Sequence, residues 1–358
     1  MKVVHVVEAL AGGVTTYFKD LSIYFGEECK ANEIETTIIF SGRRKEVDLK
    51  KIESEFSKKI TLSEVEMYRE FSPIRDIVST VKLYKKLKAI QPDVVHLHSS
   101  KAGVIGRLAC LPLYSKPKIF YTPHGYSFVR KDISRTSKKI YWLIEKYIQL
   151  LFGGTTIACG DTEYEFAKKI GKSLLNRNGI SIENIRKHCS PFENKTLTIG
   201  IVARITFARN PSMFNEIANL FPNYHFVWIG DGELSHLITA PNIKVTGWFM
   251  ESNKVLEELN KIDIYLQTSL WEGLPIAVLE AMAMQKPVIA TNIIGNKDVV
   301  ENGETGFLFD DIHELKGLLE VLENANTRKK LGEKALERCY LLFDKNKNFE
   351  NLSSIYLS

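Results

Sequence analysis

Short apolar runs recur along this chain, each closed by a turn and followed by a polar or amphipathic stretch, and the series starts twice. The first series holds KVVHVVEA (2–9), IETTIIFS (34–41), PDVVHLH (92–98), KIFYTPHG (118–125) and the start of TTIACGDTEYEFAKKIG (155–171). The second holds TLTIGIVARI (196–205), NYHFVWIGDGEL (223–234), NIKVTGWF (242–249), KIDIYLQTS (261–269), KPVIATN (286–292) and GFLFDD (306–311). Amphipathic stretches lie between them, from Val14 to Phe25, over SKAGVIGRLACL (100–111), and after Asp161 or Thr162 as an N-cap. Such alternation builds parallel strands with crossover helices. Two series therefore predict an α/β protein of two facing, doubly wound, Rossmann-like domains. The turn-rich NRNGISIENIRKHCSPFENK (176–195) reads as the linker between them. Ligands of open parallel sheets bind beyond the carboxyl ends of the strands, so an interdomain cleft is the expected site.

Size agrees, since 358 residues exceed what one hydrophobic core ordinarily organises. Five cysteines, at 29, 110, 159, 189 and 339, form no C-x-x-C pair. That points to reduced thiols in a cytoplasmic protein, neither a disulfide framework nor a zinc site. The apolar start MKVVHVVEALAGG is interrupted by His5 and Glu8, unlike a signal peptide, and no apolar run reaches the ~18 residues of a membrane span.

Charge is uneven along the chain. It is +11 over residues 1–195 (33 Lys+Arg against 22 Asp+Glu) and −6 over 196–358 (15 against 21), giving the net +5. A basic half suggests an anionic partner for the first domain. Without a zinc-finger, RNP-like or heptad pattern, nucleic acid is the poorer candidate and an anionic membrane surface the better. Plain solvated lysines are the alternative.

Several chemistries are disfavoured by what is missing. No G-x-G-x-x-G follows the first strand, and there is no G-x-x-x-x-G-K-[ST], H-E-x-x-H or G-x-S-x-G. Nicotinamide enzymes, P-loop ATPases, zinc proteases and α/β-hydrolases are thereby set aside. The absence of any D-x-D also argues against a sugar transferase that holds a metal by that motif.

One stretch is chemically pointed: SLWEGLPIAVLEAMAMQKPVIATN (269–292), with Glu272 and Glu280 eight residues apart. After the strand, Gly273-Leu274-Pro275 makes a turn, and Pro275 suits the first position of a helix. The first N–H groups of that helix lack intrahelical partners and face the expected ligand. Glu272 at the strand end can accept from ligand hydroxyls, and Glu280, roughly two turns into the helix, from hydroxyls further along. A sugar joined to a ribose suits this pair, whereas a metal pair would need more ligands. The plain alternative, Glu272 favouring the helix dipole and Glu280 in solvent, is not excluded by spacing alone.

WEGLPIAVLEAMAMQKPVIAT is similar to the E-x7-E segment of the family 4 retaining glycosyltransferases, enzymes of the two-domain GT-B fold. The resemblance extends over most of the chain. GGVTTY (12–17) resembles the family's first Gly-rich loop, DVVHLHSSKAGVIGRLA and TPHG its N-domain segments, and VARITFARNP its Arg…Lys donor-phosphate segment. VVENGETGFLF (299–309) resembles its late Gly-rich strand lead-in. The resemblance implies an acceptor-binding domain over residues 1–190, a nucleotide-sugar-binding domain over 191–340, and a tail from about 340 to 358 that packs back on the first.

Carried over residue by residue, Glu272 and the backbone of Gly273, Leu274, Pro275 and Ile276 would hold the donor sugar, with Pro275 itself offering no N–H. Glu280 would hold the ribose, and Arg204 and Arg209 the diphosphate. The family usually has Lys at the second cation; Arg209 keeps the charge as a planar fork. His124 of TPHG would face the donor sugar near the reacting carbon. Gly12 and Gly13 would let the first loop approach the diphosphate and acceptor. Backbone around Gly247 and Trp248 would meet the nucleobase.

The implied reaction is retaining transfer without a metal or other cofactor, the nucleotide-sugar (a UDP-sugar favoured) being the substrate. The implied acceptor is a lipid-linked saccharide of bacterial capsule, exopolysaccharide or O-antigen synthesis, selected by N-domain loops near residues 42–75 and 126–140. VRKDISRTSKKIYWLIEKYIQLLF (129–152) mixes cations with Trp, Tyr and Leu and can rest peripherally on the inner face of an anionic membrane, or pack on its own domain with a basic outer face. Two other readings stay open: a non-catalytic nucleotide-sugar-binding protein on this fold, and another GT-B-like enzyme such as an epimerase or phosphorylase.

Overall fold

The computed structural model describes residues 1–10, 12–29, 34–43, 47, 49–68, 70, 72–192, 194–249 and 251–358, with Lys51 described by its backbone alone. Residues 44–46, 48, 69 and 71 of the expected acceptor-loop segment 42–75 lie outside this set. The chain forms two compact units, residues 1–178 with 345–358, and residues 179–344.

In the first unit seven strands are described: β1 (Lys2–Val7), β2 (Glu35–Phe40), β3 (Thr61–Glu64), β4 (Val94–His98), β5 (Lys118–Thr122), β6 (Thr155–Ala158) and β7 (Ser173–Leu175). They lie in the order β3-β2-β1-β4-β5-β6-β7, every pairing parallel. Parallel strands need crossovers, which cover both faces of the sheet. Accordingly all five residues of β4 are buried.

The two-residue period of β1 sends its valines to two different cores. Val3 and Val7 pack with Phe18 and Leu21 of helix Gly13–Ile23, and with Phe349, Leu352 and Tyr356 of helix Lys345–Leu357. Val4 and Val6 pack with Leu83 and Leu87 of helix Pro73–Ile90, and with Ile105 of helix Ser100–Cys110. His5 lies on the Val3 face, in register with His96 of β4.

In the second unit β8 (Thr198–Val202), β9 (His225–Ile229), β10 (Ile243–Val245), β11 (Ile264–Gln267), β12 (Val288–Thr291) and β13 (Gly306–Phe309) form a sheet ordered β10-β9-β8-β11-β12-β13. Its pairings too are parallel. This is the three-two-one-four-five-six order of dinucleotide-binding folds, with the switch between β8 and β11. Both units are thus doubly wound, parallel-sheet domains.

The segment expected to be a linker is instead structured. It contains helix Ile182–Arg186, and Ile180, Ile182 and Ile185 are buried. The passage between units therefore falls after Asn178. Asp161 is the first residue of helix Asp161–Ile170 rather than its cap, which is Gly160. Its carboxylate is taken by the guanidinium of Arg177, with Nε at 2.9 Å. Among the described residues no helix is long and apolar enough to cross a membrane.

Candidate active site

The carboxyl ends of β8 and β11 define the switch point of the second unit, and the loops that leave them are fastened together. β8 runs into a single turn, Phe207–Arg209, ended by Asn210 in the left-handed region, whose Oδ1 accepts from Met213 N as Pro211 opens the next helix. Leu270 N donates to Ala208 O at 2.8 Å and Thr268 Oγ1 to Arg209 O at 2.8 Å. These bonds carry Arg209 to the end of β11. There its guanidinium lies 2.6 Å from Glu272 Oε1.

Glu272 is 7% exposed. Its Oε1 also accepts from Gln267 Nε2 and Ser269 Oγ, both at 2.8 Å. Gln267 is held in turn by Tyr265, whose hydroxyl donates to Gln267 Oε1 at 3.2 Å. Three donors on one oxygen fix the carboxylate, and hydrogen bonds to a charged group contribute roughly 1.5–3 kcal/mol each. Oε2 takes part in none of these contacts.

The turn after Glu272 departs from expectation in two details. Pro275 has an extended ψ of 99° and is the cap of helix Ile276–Ala283, not its first residue. Its carbonyl accepts from Val278 N and Leu279 N, while the N–H groups of Gly273, Leu274 and Ile276 find no backbone acceptor among the described residues. Glu280, half-buried, is the fifth residue of the helix, little more than one turn in. The side chain of Leu274 is buried, which leaves only its backbone for a ligand.

A second loop, after β9, closes against the first. Ile205 N donates to Asp231 O at 2.8 Å, and a Cβ on Gly232 would stand 2.3 Å from Ile205 O. Arg204, half-buried, lies in the strand-to-turn segment this loop grips. Gly247 sits at φ +75° with open space around it, and Trp248 beside it is 61% exposed. Gly295 approaches from the other side: a Cβ there would meet Glu272 Cβ and Gly273 O, each at 2.6 Å.

In the first unit Gly12 has φ +59° and caps helix Gly13–Ile23. A Cβ on Gly12 would meet nothing within 4 Å, so its need for glycine is conformational and not, within the fold, a matter of crowding. Gly13, exposed, opens the helix. His124 follows β5 at φ +52°, a left-handed conformation uncommon outside glycine that histidine tolerates better than most side chains. Gly125 N donates to Glu163 Oε2 at 2.7 Å and Cys159 N to Glu163 Oε1 at 2.9 Å, which pins the turn.

Behind His124 stand His5, His96 and His98, all fully buried. Burial lowers the His124 imidazole to about 4 and His5 to about 3, and pushes His96 and His98 well below the usual histidine range. All four are therefore neutral near pH 7. Nitrogens of His5, His96 and His98 lie within 4.8 Å of one another, the spacing of a metal site. Yet His96 bonds Tyr356 through Nδ1 and Thr122 through Nε2, and His98 bonds His5 and His124 through its two nitrogens. A cation there would have to displace bonds already made.

Sequence reasoning named Glu272 and Arg209 but not their pairing, and it missed Gln267, Ser269, Gly232, Gly295, His5 and His98. Gln267 and Ser269 could have been found as polar residues at the end of an otherwise apolar strand. The two histidines were visible as ring nitrogens placed inside buried strands.

Comparison with known proteins names the class. Residues 11–175 match the family model described as Glycosyltransferase Family 4, and residues 182–338 the one described as Glycosyl transferases group 1. The chain belongs to this glycosyltransferase family. It is 30% identical over 296 residues to UDP-Gal:alpha-D-GlcNAc-diphosphoundecaprenol alpha-1,3-galactosyltransferase of Escherichia coli, covering 74% of each chain. It is 24% identical over 325 residues to the capsular polysaccharide biosynthesis glycosyltransferase CapM of Staphylococcus aureus, covering 82% of this chain and 83% of that one. In fold it resembles sucrose-phosphate synthase from Thermosynechococcus elongatus, with a TM-score of 0.80 at 15% identity over 99% of this chain and 98% of that one. It also resembles HepE of Anabaena in complex with UDP and glucose, at 0.76 and 16% over 99% and 100%. The two domains are those of the GT-B fold.

Proposed function

We propose that the protein is a metal-independent, retaining glycosyltransferase that moves a hexose from a UDP-sugar to a lipid-linked saccharide in bacterial surface-polysaccharide synthesis. The observation that carries this reading is the Glu272 carboxylate, held on one oxygen by Arg209, Gln267 and Ser269 at the switch point of the second unit. A carboxylate so fixed presents its other oxygen as an acceptor to sugar hydroxyls without reorganising.

In this reading Glu272 and the N–H groups of Gly273, Leu274 and Ile276 hold the sugar, and Glu280 the ribose. Arg204 and Arg209 face the diphosphate, and backbone near Gly247 and Trp248 the base. The first unit supplies His124 to the sugar and Gly12-Gly13 to the diphosphate and acceptor. The C1–phosphate bond breaks as an acceptor hydroxyl forms the new C1–O bond on the same face. Its proton passes to the departing phosphate oxygen, whose charge the two arginines stabilise.

UDP is favoured by the names of the E. coli relative and the HepE complex, and a lipid-linked acceptor by the E. coli relative. Helix Arg135–Phe152 adds support from its inverted pattern. Its buried residues are Glu145 and Gln149, bonded to Tyr121, Ser100 and Thr156, while Ile140, Ile144, Tyr147, Leu150 and Leu151 are exposed. With Lys138, Lys139 and Lys146 alongside, this face suits an anionic bilayer carrying the acceptor. We place the protein on the inner face of the cell membrane accordingly.

The test is transfer to a GlcNAc-diphospholipid from a panel of UDP-hexoses in chelator, with the product anomer read by NMR. Acceptor-dependent UDP release and an alpha product are expected from at least one donor. Release without acceptor, or no turnover with any donor, would contradict the reading.

A further inference from the structure

Three imidazoles form one hydrogen-bonded line from the core of the first unit to its surface. His5 Nδ1 lies 3.1 Å from His98 Nε2, and His98 Nδ1 lies 2.9 Å from His124 Nε2. A neutral imidazole carries one hydrogen, on one nitrogen or the other. Each contact in the line needs one hydrogen between its two nitrogens. Only two arrangements supply that: all three rings protonated at Nδ1, or all three at Nε2. Any mixture leaves two hydrogens, or none, between a pair of nitrogens in contact.

The line has two ends of different kind. His5 Nε2 is buried without a partner, among Phe18, Phe25 and Tyr356. Among the described residues His124 Nδ1 has no hydrogen-bond partner, it is not among the buried unpaired atoms, and the residue is half-buried, which leaves this nitrogen for a ligand. It is a donor in the first arrangement and an acceptor in the second.

The neighbouring His96 is fixed separately. Thr122 Oγ1 gives its hydrogen to Ile157 O at 2.8 Å and can therefore only accept from His96 Nε2 at 2.9 Å. His96 is thus the Nε2–H form and accepts from the Tyr356 hydroxyl at Nδ1, 2.5 Å away. It stacks near His98, with ring centroids 4.0 Å apart, without joining the line.

We propose that His5 and His98 are positioning residues that set the tautomer of His124, so that the atom offered to a bound sugar is chosen by a proton held in the core. This deepens the reading above and rests on its placement of His124 at the sugar. A neutral line is needed, because a charged imidazole would add a second hydrogen and break the order. Burial keeps all its members neutral.

Nitrogen-15 NMR of the full chain labelled at histidine, at pH 7 and without substrate, reads the line directly. His5, His98 and His124 should show the same form, or the two forms in the same proportion, with His96 as Nε2–H. Opposite forms within the three overturn the proposal, and this needs no variant. In His5→Phe, which keeps a ring among Phe18 and Phe25, the proportion of the two forms at His124 should change. Turnover should fall about tenfold, the lower end of the scale known for losing an outer partner that orients a metal-bound imidazole, with UDP affinity unchanged. An unchanged proportion at His124 in this variant also overturns the proposal. A changed proportion at His124 with unchanged turnover would instead refute the placement of His124 at the sugar, leaving the line itself intact.

Discussion

The two units share the strand order at their centres, β3-β2-β1-β4 in one and β10-β9-β8-β11 in the other, yet the carboxyl ends of those strands carry opposite chemistry. The second unit places an ion pair there, Glu272 with Arg209. The first unit places His98 at the end of β4 and His124 just beyond β5, backed by His5 and His96 inside β1 and β4, all imidazoles that burial keeps neutral. One fold supplies the same location twice, and the side chains alone decide whether it binds by charge or by oriented dipoles.

Acid should separate the units most strongly. His5, His96, His98 and His124 are neutral in the fold below the 6.5 at which unfolded histidine titrates. Between about pH 6.5 and 4 the unfolded chain therefore binds more protons, and stability falls as pH falls, by about 1 kcal/mol per pH unit for each histidine. Asp20 and Glu145, whose carboxyls burial pushes up, oppose this over the carboxylate range. Hydrogen exchange, corrected for intrinsic rate, should quicken in β1, β4 and β5 between pH 7 and 5 while β8 and β11 keep their protection. Equal loss in both sheets would dissolve the contrast.

Gly232→Ala should cost the second unit about 3 kcal/mol, because the new Cβ meets backbone at Ile205, which cannot swing aside. Thermal unfolding checks the loss, and UDP titration should show weaker binding as the Arg204 segment shifts.

Gln267→Ala removes one of the three donors on Glu272 Oε1 and should lower turnover about tenfold, the order of a single hydrogen bond to a charge. Steady-state kinetics, run beside thermal unfolding because the lost side chain is buried, would sharpen the second unit's part. An unchanged rate would mean that Arg209 and Ser269 suffice. The smallest effect is expected at Gly247→Ala, about 1 kcal/mol, since only the positive φ resists it and the space is open.

What was legible in the sequence follows from burial. Strands covered on both faces, such as VVHLH in β4, read as apolar runs. The edge strands β3 (TLSE) and β7 (SLL) did not, because a half-exposed edge needs no apolar run. Helix Pro73–Ile90 escaped notice because Ile74, Ile77, Val78 and Val81 face outward and spoil its pattern. Glu272 stood out by its place between a strand end and a helix start, and Arg209 only through family resemblance. Their contact joins residues far apart in sequence through the β8–β11 switch, and no local spacing encodes it. The line from His5 to His98 to His124 was hidden for the same reason, since strand register and not sequence distance brings the rings together.

The central claim is that Glu272 holds the sugar of a nucleotide-sugar and not its nucleotide. Calorimetric titration of the wild type and Glu272→Gln with UDP and with UDP-galactose, in chelator throughout, tests it most directly. The account predicts UDP affinities within about threefold of each other and at least a tenfold loss for UDP-galactose in the variant, a difference of about 1.4 kcal/mol or more. Equal losses for both ligands, or none for UDP-galactose when the wild type binds it, would contradict it.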